Sequence, residues 1–124
     1  VFFTARHFLP HLLAGGEQRG TAPGKLAIIS SQMGSSTRAG SGAIMYRASK
    51  AAATNLARSL AVELASQNIA VGAYHPGWVQ TEMGGQDAAA TPADSAAGLL
   101  QRFAALGMGS TGVFEDYTGA VIPF

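Results

Sequence analysis

The sequence predicts an α/β fold, with about three parallel strands and intervening helices in a doubly wound arrangement, and three observations predict it. Short apolar runs at residues 25–29, 69–74 and 113–115 are too brief for helices and do not alternate, as expected of strands covered on both faces. Longer stretches with helical periodicity separate them. Two of the runs stop at chemically distinctive strand ends, Ser30-Ser31 and Pro76-Gly77. An order of helix, strand, helix, strand, helix, strand implies parallel pairing through right-handed crossovers.

Composition narrows the function. The chain has 124 residues, 48% apolar and 12% charged, with a net charge of +1 and no cysteine. Near-neutral charge offers no basic stripe for nucleic acid or anionic lipid. Zero cysteines exclude disulfides and thiolate metal sites. No apolar run approaches the length that spans a bilayer, and no signal-peptide pattern is evident, so the cytoplasm is the expected location.

The first helix is expected over residues 1–14, with Phe8 and Leu12 on one stripe and Leu9 and Leu13 beside it. Pro10 warns of a kink, and Gly15-Gly16 is expected to end the helix. His7 and His11 are one turn apart but lack a third ligand, so they read as polar-face histidines, not a metal site. A polar loop over 17–24 leads into the strand that ends at Ser30-Ser31.

A long helix is expected over 43–67, with Leu56, Leu60 and Leu64 in one row and Ala53, Ala57 and Ala61 alongside. The alanine face suits either close approach by another helix or packing on its own sheet. The strand at 69–74 is stopped by His75-Pro76-Gly77, since proline cannot donate to a ladder and glycine permits a tight turn. His75 reads as structural, and Trp78 as either a ligand contact or a packed side chain. Residues 82–90 read as a mobile loop over the substrate.

The last helix starts clearly, with Thr91 as N-cap, Pro92 at the first position and Asp94 at the third. Its apolar face is expected to comprise Leu99, Leu100, Phe103 and Leu106, and its end to fall at Gly107. Residues 107–112 spell G-x-G-x-x-G, the dinucleotide fingerprint. That fingerprint binds pyrophosphate only where it follows a strand and opens a helix. Here it follows a helix and precedes a strand, so it reads as a decoy. A turn at 117–119 and an apolar end at 120–122 close the chain.

The chemistry centres on Tyr46 and Lys50, four residues apart at the head of the long helix and hence on one face. A cation about 4 Å from a phenol, at an effective dielectric of about 20, favours the phenolate by roughly 4 kcal/mol. A group that ordinarily titrates near pH 10 is thereby drawn toward the range of efficient general acid–base catalysis. A bare Tyr-x-x-x-Lys arises by chance in roughly one chain in five of this size. Its placement between a Ser-ended strand and a Pro-Gly-ended strand is far more specific.

With those three pieces in place, the sequence resembles the short-chain dehydrogenase/reductase family from about Phe2 onward. Residues 46–52 and 75–85 look most like its C-factor group. The resemblance implies the C-terminal part of a Rossmann-type domain, residues 1–124 lacking the Gly-rich loop, cofactor selector and catalytic Asn that lie upstream in relatives. It implies NAD or NADP as cofactor and hydride exchange with a small-molecule carbonyl or alcohol. Tyr46 would be the proton donor and acceptor, Lys50 would favour its phenolate and bond the nicotinamide ribose, and Ser31 would orient the substrate oxygen.

Pro76, Gly77 and the Val79 main chain would meet the nicotinamide carboxamide, with the Thr81 hydroxyl nearby. Usual family spacing from Ser to Tyr lands on Met33; a two-residue insertion within 34–42 restores Ser31, with Ser30 as fallback. The long helices imply a homo-oligomer. The C-factor likeness also raises a different class of function, a signalling or interaction protein using the fold without turnover. The polypeptide alone is expected to hold cofactor weakly and to expose an apolar edge at its first strand.

Overall fold

The computed structural model describes residues 1–18, 20 and 22–124. Helix α1 (Phe2–Gln18) runs through Pro10 and past Gly15-Gly16, beyond the expected end. Ala5 is buried, and Leu9, Leu12 and Leu13 pack against the core. That contact offsets the lost backbone bond and ring clash of an interior proline, about 3 kcal/mol, and a glycine cost of about 1 kcal/mol per residue. The helix takes in residues 17 and 18 of the loop expected over 17–24; Arg19 and Thr21 lie outside the described residues. His7 uses its Nδ1 to bond the Phe3 carbonyl at 2.7 Å.

Strands β1 (Gly24–Ile29), β2 (Ile69–His75) and β3 (Phe114–Asp116) form a parallel sheet in the order β1-β2-β3. The register pairs Gly24 with Ile69 through Ile29 with Tyr74, and Ala73 with Phe114 through His75 with Asp116. The central strand β2 is buried at every residue, which explains its unbroken apolar run. Within the described residues β1 is an edge, and its Ile29 is 44% exposed. The third strand falls one residue later than expected, because Val113 still closes the preceding turn through its N–H to Ser110.

Helix α2 (Ile44–Glu63) crosses from β1 to β2. Ala53, Ala57 and Ala61 are buried in one cluster with Ile28, Ile69, Val71 and Phe114, so the small-residue face packs on the chain's own sheet. The α-helix stops before the expected residue 67. A 3-10 turn (Ala65–Gln67) follows, and Asn68 takes a left-handed φ of 55°, which its short side chain tolerates. Leu64 is buried at that corner.

Helix α3 (Pro92–Ala105) begins as its caps predict: Thr91 Oγ1 accepts from the Asp94 N–H at 3.1 Å and donates to the Asp94 carboxylate at 2.6 Å. Phe103 meets Tyr74 edge to face at 5.1 Å between centroids, and Leu106 is buried. Leu100 is 66% exposed, contrary to expectation, since it lies one residue round the helix from the stripe of Leu99, Phe103 and Leu106. No helix among the described residues is long and apolar enough to cross a membrane.

The G-x-G-x-x-G stretch forms one 3-10 turn (Met108–Ser110). The Val71 N–H donates to Thr111 Oγ1 at 3.0 Å, and the Gly112 N–H donates to the Val71 carbonyl at 2.7 Å. The segment therefore lies toward the start of β2, away from the strand ends that carry Ser31 and Pro76. In the closing segment Val121 is exposed and Ile122 buried, its N–H bonded to the Phe114 carbonyl at 2.8 Å. Ser35 Oγ donates to the Pro123 carbonyl, and the Arg58 guanidinium stacks 4.1 Å from the centre of the Phe124 ring.

Candidate active site

Parallel pairing of β1 and β2 brings their carboxyl ends side by side, where open α/β sheets collect ligands. The first turn of α2 comes down beside them. The result is an open cleft of about 690 Å³ lined by Ser31, Tyr46, Pro76, Gly77, Val79 and Thr81, among others. Six of the seven residues singled out from the sequence thus share one cavity. Lys50 stands behind Tyr46: its Nζ is 5.7 Å from the centre of the Tyr46 ring and donates to the Ile29 carbonyl at 3.3 Å.

The two adjacent serines separate by environment. Ser30 is 1% exposed, and its hydroxyl meets Thr54 Oγ1 at 2.6 Å and the Lys50 carbonyl at 3.0 Å, so it serves the interior. Ser31 lines the cleft. Its Oγ accepts from the Met33 N–H at 3.2 Å, capping the 3-10 turn Gln32–Gly34, and that bond leaves the hydroxyl proton to be donated. Arg38 bonds Gln32 Oε1 at 2.9 Å and Arg47 bonds the Arg38 carbonyl at 3.1 Å, which ties the loop after β1 to the head of α2.

The second wall follows β2. Gly77 has φ +88°, a conformation that favours glycine, and a Cβ there would stand 2.8 Å from the Tyr117 ring. Val79 bridges Ala90 in parallel, through the Gln80 N–H to the Ala90 carbonyl and the Ala90 N–H to the Trp78 carbonyl. In that pattern Val79's own N–H and C=O point to the opposite edge. Residues 82–90 fold back on this bridge, burying Ala88 and Ala90, while Trp78 donates to the Gly84 carbonyl at 2.7 Å and Met83 stays exposed.

His75 belongs to the cleft wall, which the sequence reading, treating it as structural, missed. It is only 9% exposed, and its Nδ1 has no hydrogen-bond partner among the described residues. Burial pushes its pKa below the ordinary value of 6.5; the Asp116 carboxylate opposes that shift and the Arg38 guanidinium reinforces it. The available signal was its position, the last strand residue before Pro76-Gly77. Asp116 is itself held low: burial works against ionisation, but bonds from the Thr118 hydroxyl and the Thr118 and Ala120 N–H groups prevail.

Comparison with known proteins places this geometry. The family profile described as short chain dehydrogenase matches residues 1–91. The C-signal of Myxococcus xanthus is 38% identical over 117 residues, 94% of this chain and 67% of that protein. The carbonyl reductase Sniffer of D. melanogaster superposes with a TM-score of 0.88 at 31% identity, covering 97% of this chain and 51% of that one. The NADPH-bound carbonyl reductase from chicken fatty liver gives 0.87 at 29%, with the same coverage of 97% and 51%. The chain thus spans about half the length of these solved structures.

Proposed function

The chain belongs to the short-chain dehydrogenase family, and we propose that it acts as an NAD(P)-dependent oxidoreductase interconverting a carbonyl compound and its alcohol. One observation carries the reading: Ser31 and Tyr46, brought from separate elements, line one cleft with Pro76, Gly77, Val79 and Thr81. The donor set fits the nicotinamide end of the cofactor. The bridge to Ala90 turns the Val79 main chain to the edge opposite Ala90, the Thr81 hydroxyl lines the same cleft, and the Lys50 ammonium lies one helical turn from Tyr46. When bound, the nicotinamide supplies or accepts the hydride.

The protein's own part is position and proton. Tyr46 gives its hydroxyl proton to the carbonyl oxygen in reduction and takes it back in oxidation. Lys50, one helical turn along α2 from Tyr46, would bond the nicotinamide ribose. Ser31, its oxygen fixed by the Met33 N–H, donates to the substrate oxygen as negative charge develops there. Residues 1–124 supply the nicotinamide end, and saturable micromolar binding of NADPH or NADH by this polypeptide alone would overturn that division.

The cleft also bears on substrate class. Met33, Trp78, Met83, Pro92 and Leu99 give it apolar walls, and among the described residues its lining contains no Asp, Glu, Lys or Arg. A phosphate or carboxylate would lose hydration there without a counter-charge, which favours an uncharged, apolar aldehyde or ketone. Self-association through the long helices is also proposed, supported by the exposed Phe2, Phe3 and Phe8 of α1.

The second reading, a signalling or interaction role without turnover, is supported by the 38% identity to the C-signal. Tyr46→Phe in the protein at its natural length separates the two. Loss of carbonyl-dependent NAD(P)H oxidation by about 100-fold or more with an unchanged melt is the expected outcome. Undiminished turnover would refute the role given to Tyr46, and an unchanged cellular phenotype would favour the signalling role.

A further inference from the structure

Three separate pieces of chain converge on the peptide of Lys50. Its carbonyl oxygen lies 3.0 Å from Ser30 Oγ and 2.9 Å from Thr54 Oγ1, and those hydroxyls lie 2.6 Å apart. On the same peptide, Gly34 packs so closely that a Cβ there would stand 2.6 Å from the Lys50 carbonyl carbon and 2.7 Å from its oxygen. Ser30 directly follows β1 and precedes Ser31, Gly34 ends the 3-10 turn after them, and Thr54 lies one turn along α2 from Lys50. Ser30 and Thr54 are 1% and 2% exposed, and neither lines the cleft.

A helical threonine ordinarily satisfies its hydroxyl on the carbonyl four residues back and needs no partner from another element. Replacing a buried hydroxyl pair by apolar groups of the same shape is nearly neutral for stability. The cross-element bond therefore adds little to holding the layers together and much to fixing their register, because it is directional where apolar contact can slide. Sliding α2 along β1 would move Tyr46 relative to Ser31 while leaving the core apolar and covered.

We infer that Ser30 and Thr54 are positioning residues that hold the Tyr46–Lys50 turn of α2 at a fixed height over the strand end carrying Ser31. The inference rests on the oxidoreductase reading above, and its test separates the two. In the protein at its natural length, with NADPH or NADH and an apolar aldehyde, Thr54→Val and Ser30→Ala lower kcat by about 10- to 100-fold with KM changed less than about twofold. Thr54→Ser, which keeps the hydroxyl, stays within about threefold of the unaltered protein. Folded Thr54→Val with undiminished kcat, or a loss that Thr54→Ser shares, overturns the inference. So does failure of both hydroxyl-free variants to fold, since the pair would then hold the protein together rather than set a register. If the unaltered protein turns over no carbonyl compound, the oxidoreductase reading fails and amide exchange decides instead. Faster exchange confined to residues 31–34 and 46–54 in Thr54→Val, with an unchanged melt, supports the positioning role, and a uniform change refutes it.

Discussion

Removing a hydrogen-bonding group from the centre of the sheet should make this protein more stable. Tyr74 is fully buried, and its hydroxyl has no hydrogen-bond partner among the described residues. Burial first, and then the Glu115 carboxylate, push its pKa up to about 12 against a small opposing pull from Arg102. An unsatisfied buried hydroxyl costs about 1–3 kcal/mol. Tyr74→Phe removes that cost and keeps the ring against Phe103. The vacated oxygen leaves a void costing less than about 1 kcal/mol, so the net gain is about 1–2 kcal/mol. For a chain of this size that raises Tm by about 3–8 °C. Thermal melts and urea titrations with an unchanged m-value measure it directly. The variant should also resist alkali better. A phenol whose folded pKa exceeds its unfolded value of 10.0 contributes stability that is fully present below pH 10 and lost as pH rises toward about 12. A Tm lowered by Tyr74→Phe would refute the reasoning and mean that the hydroxyl has a partner.

Two further outcomes follow from the site. Gly34→Ala sets a methyl against the Lys50 backbone, which cannot swing aside, so the loop and α2 must part; the expected cost is about 1–3 kcal/mol by urea titration. Because the same shift moves Ser31 from Tyr46, kcat should fall further than the lost stability explains, and an unaffected kcat would contradict the shared anchoring. His75, with its folded pKa below 6.5, leaves the unfolded chain binding more protons under acid conditions, so the stability it contributes is present above pH 6.5 and lost as pH falls. His75→Gln should flatten the decline in Tm between about pH 7 and 5, while an identical slope would place that decline on other groups.

The parts of this structure that were legible in the sequence are those whose chemistry is local. The start of α3 is written in Thr91, Pro92 and Asp94, and the cap bonds form within those residues. The unbroken apolar run of β2 was a direct consequence of burial on both faces. The choice between Ser30 and Ser31 was hard to read, because successive side chains leave a strand in opposite directions and β1, apolar apart from Lys25, gives little sign of which side holds the cleft. That information sits in Thr54 and Lys50, some twenty residues away. The extension of α1 past Gly15 and the exposure of Leu100 depended likewise on what each helix packs against. The surroundings of His75 were hidden for the same reason: its neighbours Asp116 and Arg38 reach it only through folding.

The all-parallel register has a kinetic consequence. Residues 30–68 lie between β1 and β2, and residues 76–113 between β2 and β3, so no two strands can meet by closing a short hairpin. Each pairing must wait for a crossover of about 40 residues to collapse, and such non-local topologies fold slowly. During that wait β2, the most apolar segment and the one destined for the middle, has neither neighbour in place. The central strand whose end helps to build the cleft is therefore the segment that most needs shielding while the chain is being made.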